Sequence, residues 1–210
     1  PDIVYNSDDV TGQWLRGEVQ VTKTLMNAHK GTLGLDYQYN LQQDQRNYDH
    51  IADGVNQDDK RNSGYWAMYL QDEYTILQNL TLNAGVRFDY YDTFGDTINP
   101  RVALIYSPLE KSTFKAIYGT AFRAPNAYEF YYDASTLQKS NPDLKPETIN
   151  SYELVYEQYF GNCYRGTVVA FYNEIEDLIA LKTDPLDGII VFDNVDTVSA
   201  KGIEFEAEGE

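Results

Sequence analysis

The chemistry-bearing side chains of this chain gather in three polar stretches. In FRAPNAYEFYYD (122–133) and the following NPDLKPET (141–148), Arg123 stands among Glu129 and Glu147, with Asn126 and Tyr131 nearby. A guanidinium among carboxylates forms forked ion pairs, which orient a ligand or simply hold a loop. In DQRNYDHIADGVNQDDKRN (44–62), Asp44, Asp49, Asp53, Asp58 and Asp59 cluster around Tyr48 and His50. Clustered carboxylates suit Ca²⁺, which makes Asp49, Asp53, Asp58 and Asp59 the calcium candidates. Their spacing departs from the D-x-D-x-D-G loop, and a solvated acidic loop is the simpler reading. In KGIEFEAEGE, Glu204 and Glu206 share one strand face. Such a pair meets the spacing of a glycosidase but equally that of a wetted acidic wall. His29 and His50 fall in different connections, and Cys163 in the turn GNC has no neighbouring His to activate it. There is no Gly-rich phosphate loop, no G-x-S-x-G and no H-E-x-x-H. The sequence therefore predicts no catalytic residues, no enzyme and no cofactor.

The elements that position these residues read as strands. In TLGLDYQYNLQ, Leu33, Leu35, Tyr37, Tyr39 and Leu41 alternate with Asp36, Gln38 and Asn40. In LTLNAGVRFDYY, Leu80, Leu82, Ala84, Val86, Phe88 and Tyr90 oppose Asn83, Arg87 and Asp89. In SYELVYEQYF, Tyr152, Leu154, Tyr156 and Phe160 oppose Glu153 and Glu157. Period two is the signature of a strand with unlike faces. These runs reach the roughly 9–11 residues of a membrane-crossing strand, against about 5–6 for an ordinary one. Weaker versions lie near 14–25, 64–77, 98–107, 112–121 and 164–175, with a short strand near 188–193. The expectation is an all-β chain of roughly nine or ten antiparallel strands and no confident helix.

Connections alternate in length. MNAHK, LQN, SPLEK and GNC are short, DTFGD is intermediate, and 43–63, 122–150 and 176–198 are long. Short turns at one end and long loops at the other describe an up-and-down transmembrane barrel. With no amphipathic helix to cover the apolar face, that face meets lipid or a second sheet. The polar face, with Arg87, Asp89, Arg101, Glu153, Glu157, Glu204 and Glu206, then lines a watery lumen. Composition agrees: 19 Tyr among 210 residues suit aromatic belts at a membrane interface. A net charge of −17 excludes nucleic acid as a partner. The mean hydropathy of −0.52 does not count against a barrel, whose lumen and loops are polar. A soluble β-sandwich that binds a ligand or carbohydrate stays open as the alternative.

Specific segments carry a resemblance. NPRVALIYSP (99–108), FKAIYGTAFRAPNAYEFYY (114–132), NPDLKPETINSYELVYEQYF (141–160), YRGTVVAFYNEIEDLIAL (164–181) and KGIEFEAEG (201–209) resemble, in order and spacing, the barrel of TonB-dependent outer-membrane receptors. The resemblance covers most of 65–210. It implies a Gram-negative outer-membrane location, contact with lipid, coupling to TonB through an N-terminal region missing here, and uptake of a scarce nutrient such as an iron-siderophore complex, haem or cobalamin. Residues 1–210 are then expected to be an internal part of a larger barrel, without plug domain or C-terminal strand. Tyr48, His50, Arg123, Asn126, Glu129 and Tyr131 become loop candidates for ligand contact.

Overall fold

The computed structural model describes residues 5–50, 54–134 and 137–209. Its framework is one antiparallel sheet built from β1 (Asn6–Leu25), β2 (His29–Asp49), β3 (Gly54–Asp59), β4 (Ser63–Leu77), β5 (Leu80–Tyr91), β6 (Gly95–Leu109) and β7 (Ser112–Arg123). A short helix, α1 (Ala127–Tyr131), and a two-residue strand, β8 (Gln138–Lys139), precede β9 (Glu147–Phe160) and β10 (Tyr164–Glu176). The chain ends with β11 (Leu178–Thr183), β12 (Ile190–Val195) and β13 (Val198–Gly209). The main sheet runs β1-β2-β4-β5-β6-β7-β9-β10-β13, with β3 paired to the outer part of β2. A second sheet, β11-β12-β8, is built from the long connections.

Neighbouring strands are joined directly, so each turn or loop sets the next register. The turns at 26–28, 78–79, 110–111 and 161–163 all lie at one end. Met26 and Asn27 take positive φ to close the first of them. At the other, outer end, the DTFGD connection is also tight, with Gly95 at φ +95° where a side chain would be strained. The remaining outer connections are long.

Exposure is inverted relative to a water-soluble sheet. Leu33, Leu35, Leu70 and Leu154 are 51%, 56%, 57% and 64% exposed, whereas Asp36 and Asp89 are 2% and 1% exposed. Among the described residues no layer covers the apolar face. A single sheet shields its other face only by curling toward it, so the polar face is concave. Curling with alternating faces is the geometry of a barrel wall. The soluble-sandwich alternative fails here, because it needs a second sheet on the leucine face. The second sheet instead feeds a small core at the outer end, where Phe130, Leu144 and Ile179 are buried against Phe94, Tyr131 and Phe192.

Aromatic residues mark two levels on the convex face. Tyr37, Trp66 and Tyr90 are in register across β2, β4 and β5. Eight residues further along β4, Tyr74 stacks on His29 with centroids 4.2 Å apart. Eight residues span about 26 Å of strand, or about 20 Å of membrane normal at a tilt of about 40°. Between the two levels lie Leu33, Leu35, Met68, Leu70, Ala84 and Val86, with Asp72 next to the inner level and bonded to His29.

Three features depart from the sequence reading. β2 extends to Asp49 and β3 lies inside the expected loop 43–63, because polar ladders rather than an apolar face hold this extension. Asn6 Nδ2 donates to Asn47 Oδ1 at 2.9 Å, and Asn56 Nδ2 donates to the same oxygen at 2.7 Å. A five-residue helix also forms, where the reading had no confident one. Its capping box is Asn126 and Glu129: Glu129 N–H donates to Asn126 Oδ1 at 3.0 Å, and Asn126 N–H to Glu129 Oε2 at 2.8 Å. Finally, β8 and β11 form within the long connections on either side of β12, the short strand expected near 188–193, with β8 and β12 parallel.

Candidate functional site on the outer loops

Arg123 ends β7 and gathers the acids that the sequence places near it. Its Nε and Nη2 donate to Glu147 Oε2 and Oε1 at 2.7 and 2.8 Å. Its Nη1 donates to both oxygens of Glu129 at 3.0 and 2.9 Å. Glu147 Oε1 also accepts the Ile179 N–H at 2.8 Å. One guanidinium thus ties β7, α1, β9 and β11 together. Forked pairs of this kind fix orientation as well as charge.

The two longest outer loops form one unit around this clamp. Asn141 Nδ2 donates to the Phe192 carbonyl at 2.9 Å, and Lys145 N–H to Asn194 Oδ1 at 2.9 Å. Lys139 Nζ reaches Asp184 at 2.5 Å and Asp187 at 2.8 Å. That ammonium holds both carboxyls below the usual aspartate range. Leu144, from the NPDLKP stretch, fills the small core beside Phe130. The unit also reaches back to the first hairpin. Gln57 Nε2 donates to the Tyr131 carbonyl at 3.0 Å, its Oε1 accepts the Asp133 N–H at 3.0 Å, and Tyr132 Oη donates to Asp8 at 3.3 Å. The Arg61 guanidinium lies 3.5 Å over the Tyr131 ring.

Tyr48 and His50 sit together at the tip of the first hairpin. Their rings meet edge to face at 4.8 Å, His50 Nε2 is 2.8 Å from Ser7 Oγ, and Arg46 lies over Tyr48 at 5.0 Å. They are a second cluster, apart from Arg123. The calcium candidates do not converge. Asp49 accepts from Asn6 at 2.8 Å, Asp58 pairs with Lys60 at 3.8 Å and Asp59 pairs with Arg61. Asp53 lies outside the described residues. Among the described residues no three His, Cys, Asp or Glu side chains form a group able to hold a metal ion.

The concave wall collects the remaining charges. Asp36 accepts from Arg16 at 2.9 Å and from Arg87 at 3.1 Å, and Arg87 also bonds Asp89 at 2.7 Å. Two nearly buried acids are thereby matched by two guanidiniums, as burial requires. Glu157 pairs with Lys115 at 2.6 Å. Glu153 stands opposite Ile117, and Glu204 and Glu206 face Val169 and Thr167 from β13. Arg101 lies on the same face between Gly85 and Gly119. The sequence reading missed Gln57, Lys139 and Leu144, whose roles depend on loop–loop contacts that leave no local periodicity.

Comparison with known proteins agrees with this architecture. The family model described as "TonB dependent receptor-like, beta-barrel" matches residues 2–210. The iron-regulated outer membrane virulence protein of Vibrio cholerae is 31% identical over 119 residues, 54% of this chain and 18% of that protein. The vitamin B12 transporter of Vibrio vulnificus is 33% identical over 128 residues, 61% of this chain and 20% of that protein. A variant of the ferric enterobactin receptor of Pseudomonas aeruginosa superposes with a TM-score of 0.77 at 20% identity, covering 93% of this chain and 33% of that one. The chain therefore spans about a fifth of the curated relatives and a third of that solved structure. These relatives are outer-membrane proteins of Gram-negative bacteria. From the family match over nearly its whole length and the inverted, curled sheet, this chain belongs to the TonB-dependent receptor family and forms part of its outer-membrane β-barrel.

Proposed function

We propose that the chain serves as part of the barrel of a receptor that takes up a scarce nutrient, an iron-siderophore complex, haem or cobalamin, through coupling to TonB. The observation that carries this is the wall itself: leucines on one face, and paired acids and arginines on the concave face. The role is that of a receptor and not of an enzyme. Within it, Arg123, Asn126, Glu129 and Tyr131 shape the outer loop unit, while Tyr48 and His50 present rings and donors at the tip of the first hairpin for ligand contact. Lipid surrounds the convex face. The test is uptake of labelled ferric siderophore, haem and cobalamin by cells with and without the intact receptor, each with and without TonB. Uptake of one of them that needs both receptor and TonB supports the proposal. Accumulation indifferent to TonB, or none with any of the three, contradicts it.

A further inference from the structure

Four cationic side chains on the concave wall are answered by an acidic partner. Arg16 and Arg87 bind Asp36, Arg87 binds Asp89, Lys115 binds Glu157, and Arg165 binds Glu208. Arg101 differs. Among the described residues it makes no ion pair and no hydrogen bond, although the chain carries a net charge of −17. Its surroundings are also unusual. On β5 and β7 the residues in register with it are Gly85 and Gly119, so no side chain flanks it on either neighbouring strand. Its stem leans over Gly119, with Cγ 3.5 Å from where a Cβ there would stand. Arg101 lines a cleft of about 420 Å³ together with Gln71, Arg87 and Asn99, whose amide also donates to Thr97 Oγ1 at 3.2 Å. One acid, Glu18, lines this cleft, and its Oε1 already accepts the Tyr69 hydroxyl at 2.6 Å.

We propose that the cleft around Arg101 is a carboxylate-binding site on the concave wall. A guanidinium presents a rigid fork that matches the two oxygens of a carboxylate, and amides beside it satisfy the remaining lone pairs. The carboxylate comes either from a free solute or from an acidic side chain elsewhere in the intact receptor. This goes beyond nutrient uptake, and its test is one of binding, so the two readings fail separately.

The experiment uses the intact receptor in detergent, as wild type and as R101Q, R101K, R101E and G119V. Citrate is titrated by calorimetry, and thermal unfolding is recorded for each protein without citrate. For a free carboxylate, citrate binds the wild type and binds R101Q at least about tenfold more weakly, the loss expected for a charge-assisted hydrogen-bonded pair. G119V, which keeps the charge but displaces the stem, is weakened as well. For an internal carboxylate, citrate does not bind the wild type, and Tm falls in the order R101K, R101Q, R101E, the reversed charge being worst. Citrate affinity unchanged in R101Q overturns the proposal, and so does absence of citrate binding with equal Tm in R101Q and R101E.

Discussion

Leu70 offers a substitution whose cost depends on what lies outside the sheet. It sits on β4 midway between Trp66 and Tyr74, in register with Leu33 and Val86. It is 57% exposed, so little of its surface is covered by protein. If water covered it, Leu70→Arg would shift stability by no more than about 0.5 kcal/mol, as at ordinary surface positions. If lipid covers it near the bilayer midplane, the same change costs about 2–4 kcal/mol. That range is a loss of about 30- to 700-fold in the folding equilibrium, at about 1.4 kcal/mol per tenfold. Asn83→Arg is the control: it carries the same side chain on the concave face, opposite Glu73. The assay is reversible unfolding of the intact receptor from lipid vesicles in denaturant, read by heat-modifiable gel migration and tryptophan emission. The expected result is a large loss for Leu70→Arg and a shift within about 0.5 kcal/mol for Asn83→Arg. Equal losses, or a larger one for Asn83→Arg, would refute the facing assignment.

Three further outcomes follow from the same structure. A Cβ at Gly34 would stand 2.0 Å from Tyr69 Cζ, so Gly34→Ala displaces the ring, breaks its bond to Glu18, and costs about 1–3 kcal/mol in denaturant midpoints. Gly12→Ala, with nothing within 4 Å of its Cβ, lacks that clash and costs clearly less. The Asp184 and Asp187 carboxyls are held below their usual pKa by Lys139, so their contribution to loop stability is full above about pH 4 and is lost as pH falls through the depressed values. Hydrogen exchange of 137–145 and 184–192 should accelerate together in acid, and Lys139→Gln should remove the dependence. Arg123→Gln leaves Glu129 and Glu147 facing each other without a cation, and exchange should rise at the α1 amides and at Ile179 while strand amides keep their protection. Unchanged exchange at Ile179 would show that the clamp does not hold β11.

The wall was legible in the sequence because each strand has unlike faces. Leu33 to Leu41 and Leu80 to Tyr90 announce their faces by period two, and the register puts Arg87, Asp89, Arg101, Glu153, Glu157, Glu204 and Glu206 on one face of the sheet. The outer extension was not legible. Residues 43–49 and 54–59 pair through Asn, Asp and Gln ladders, which carry no hydrophobic rhythm. The loop unit was partly visible: Arg123, Glu129 and Glu147 stood out as a charge cluster, and the structure joins them. Its small core did not stand out, because Phe130, Leu144 and Ile179 come from three separate segments whose meeting depends on the whole loop path. Asp36 read as one more polar strand residue, and only the sheet order, with β1 beside β2 and β5 beyond β4, shows it held by Arg16 and Arg87.

The most direct test of the wall is spin-label accessibility along β9. Single labels at 152–157 in the intact receptor, reconstituted in lipid with Cys163 replaced by serine, are exposed to oxygen, which concentrates in lipid, and to a water-soluble nickel chelate. The account predicts oxygen maxima at Tyr152, Leu154 and Tyr156, and minima at Glu153, Val155 and Glu157. Period-two accessibility of the opposite phase, or nickel access equal on both faces, would contradict a lipid-facing leucine surface and with it the membrane-barrel reading.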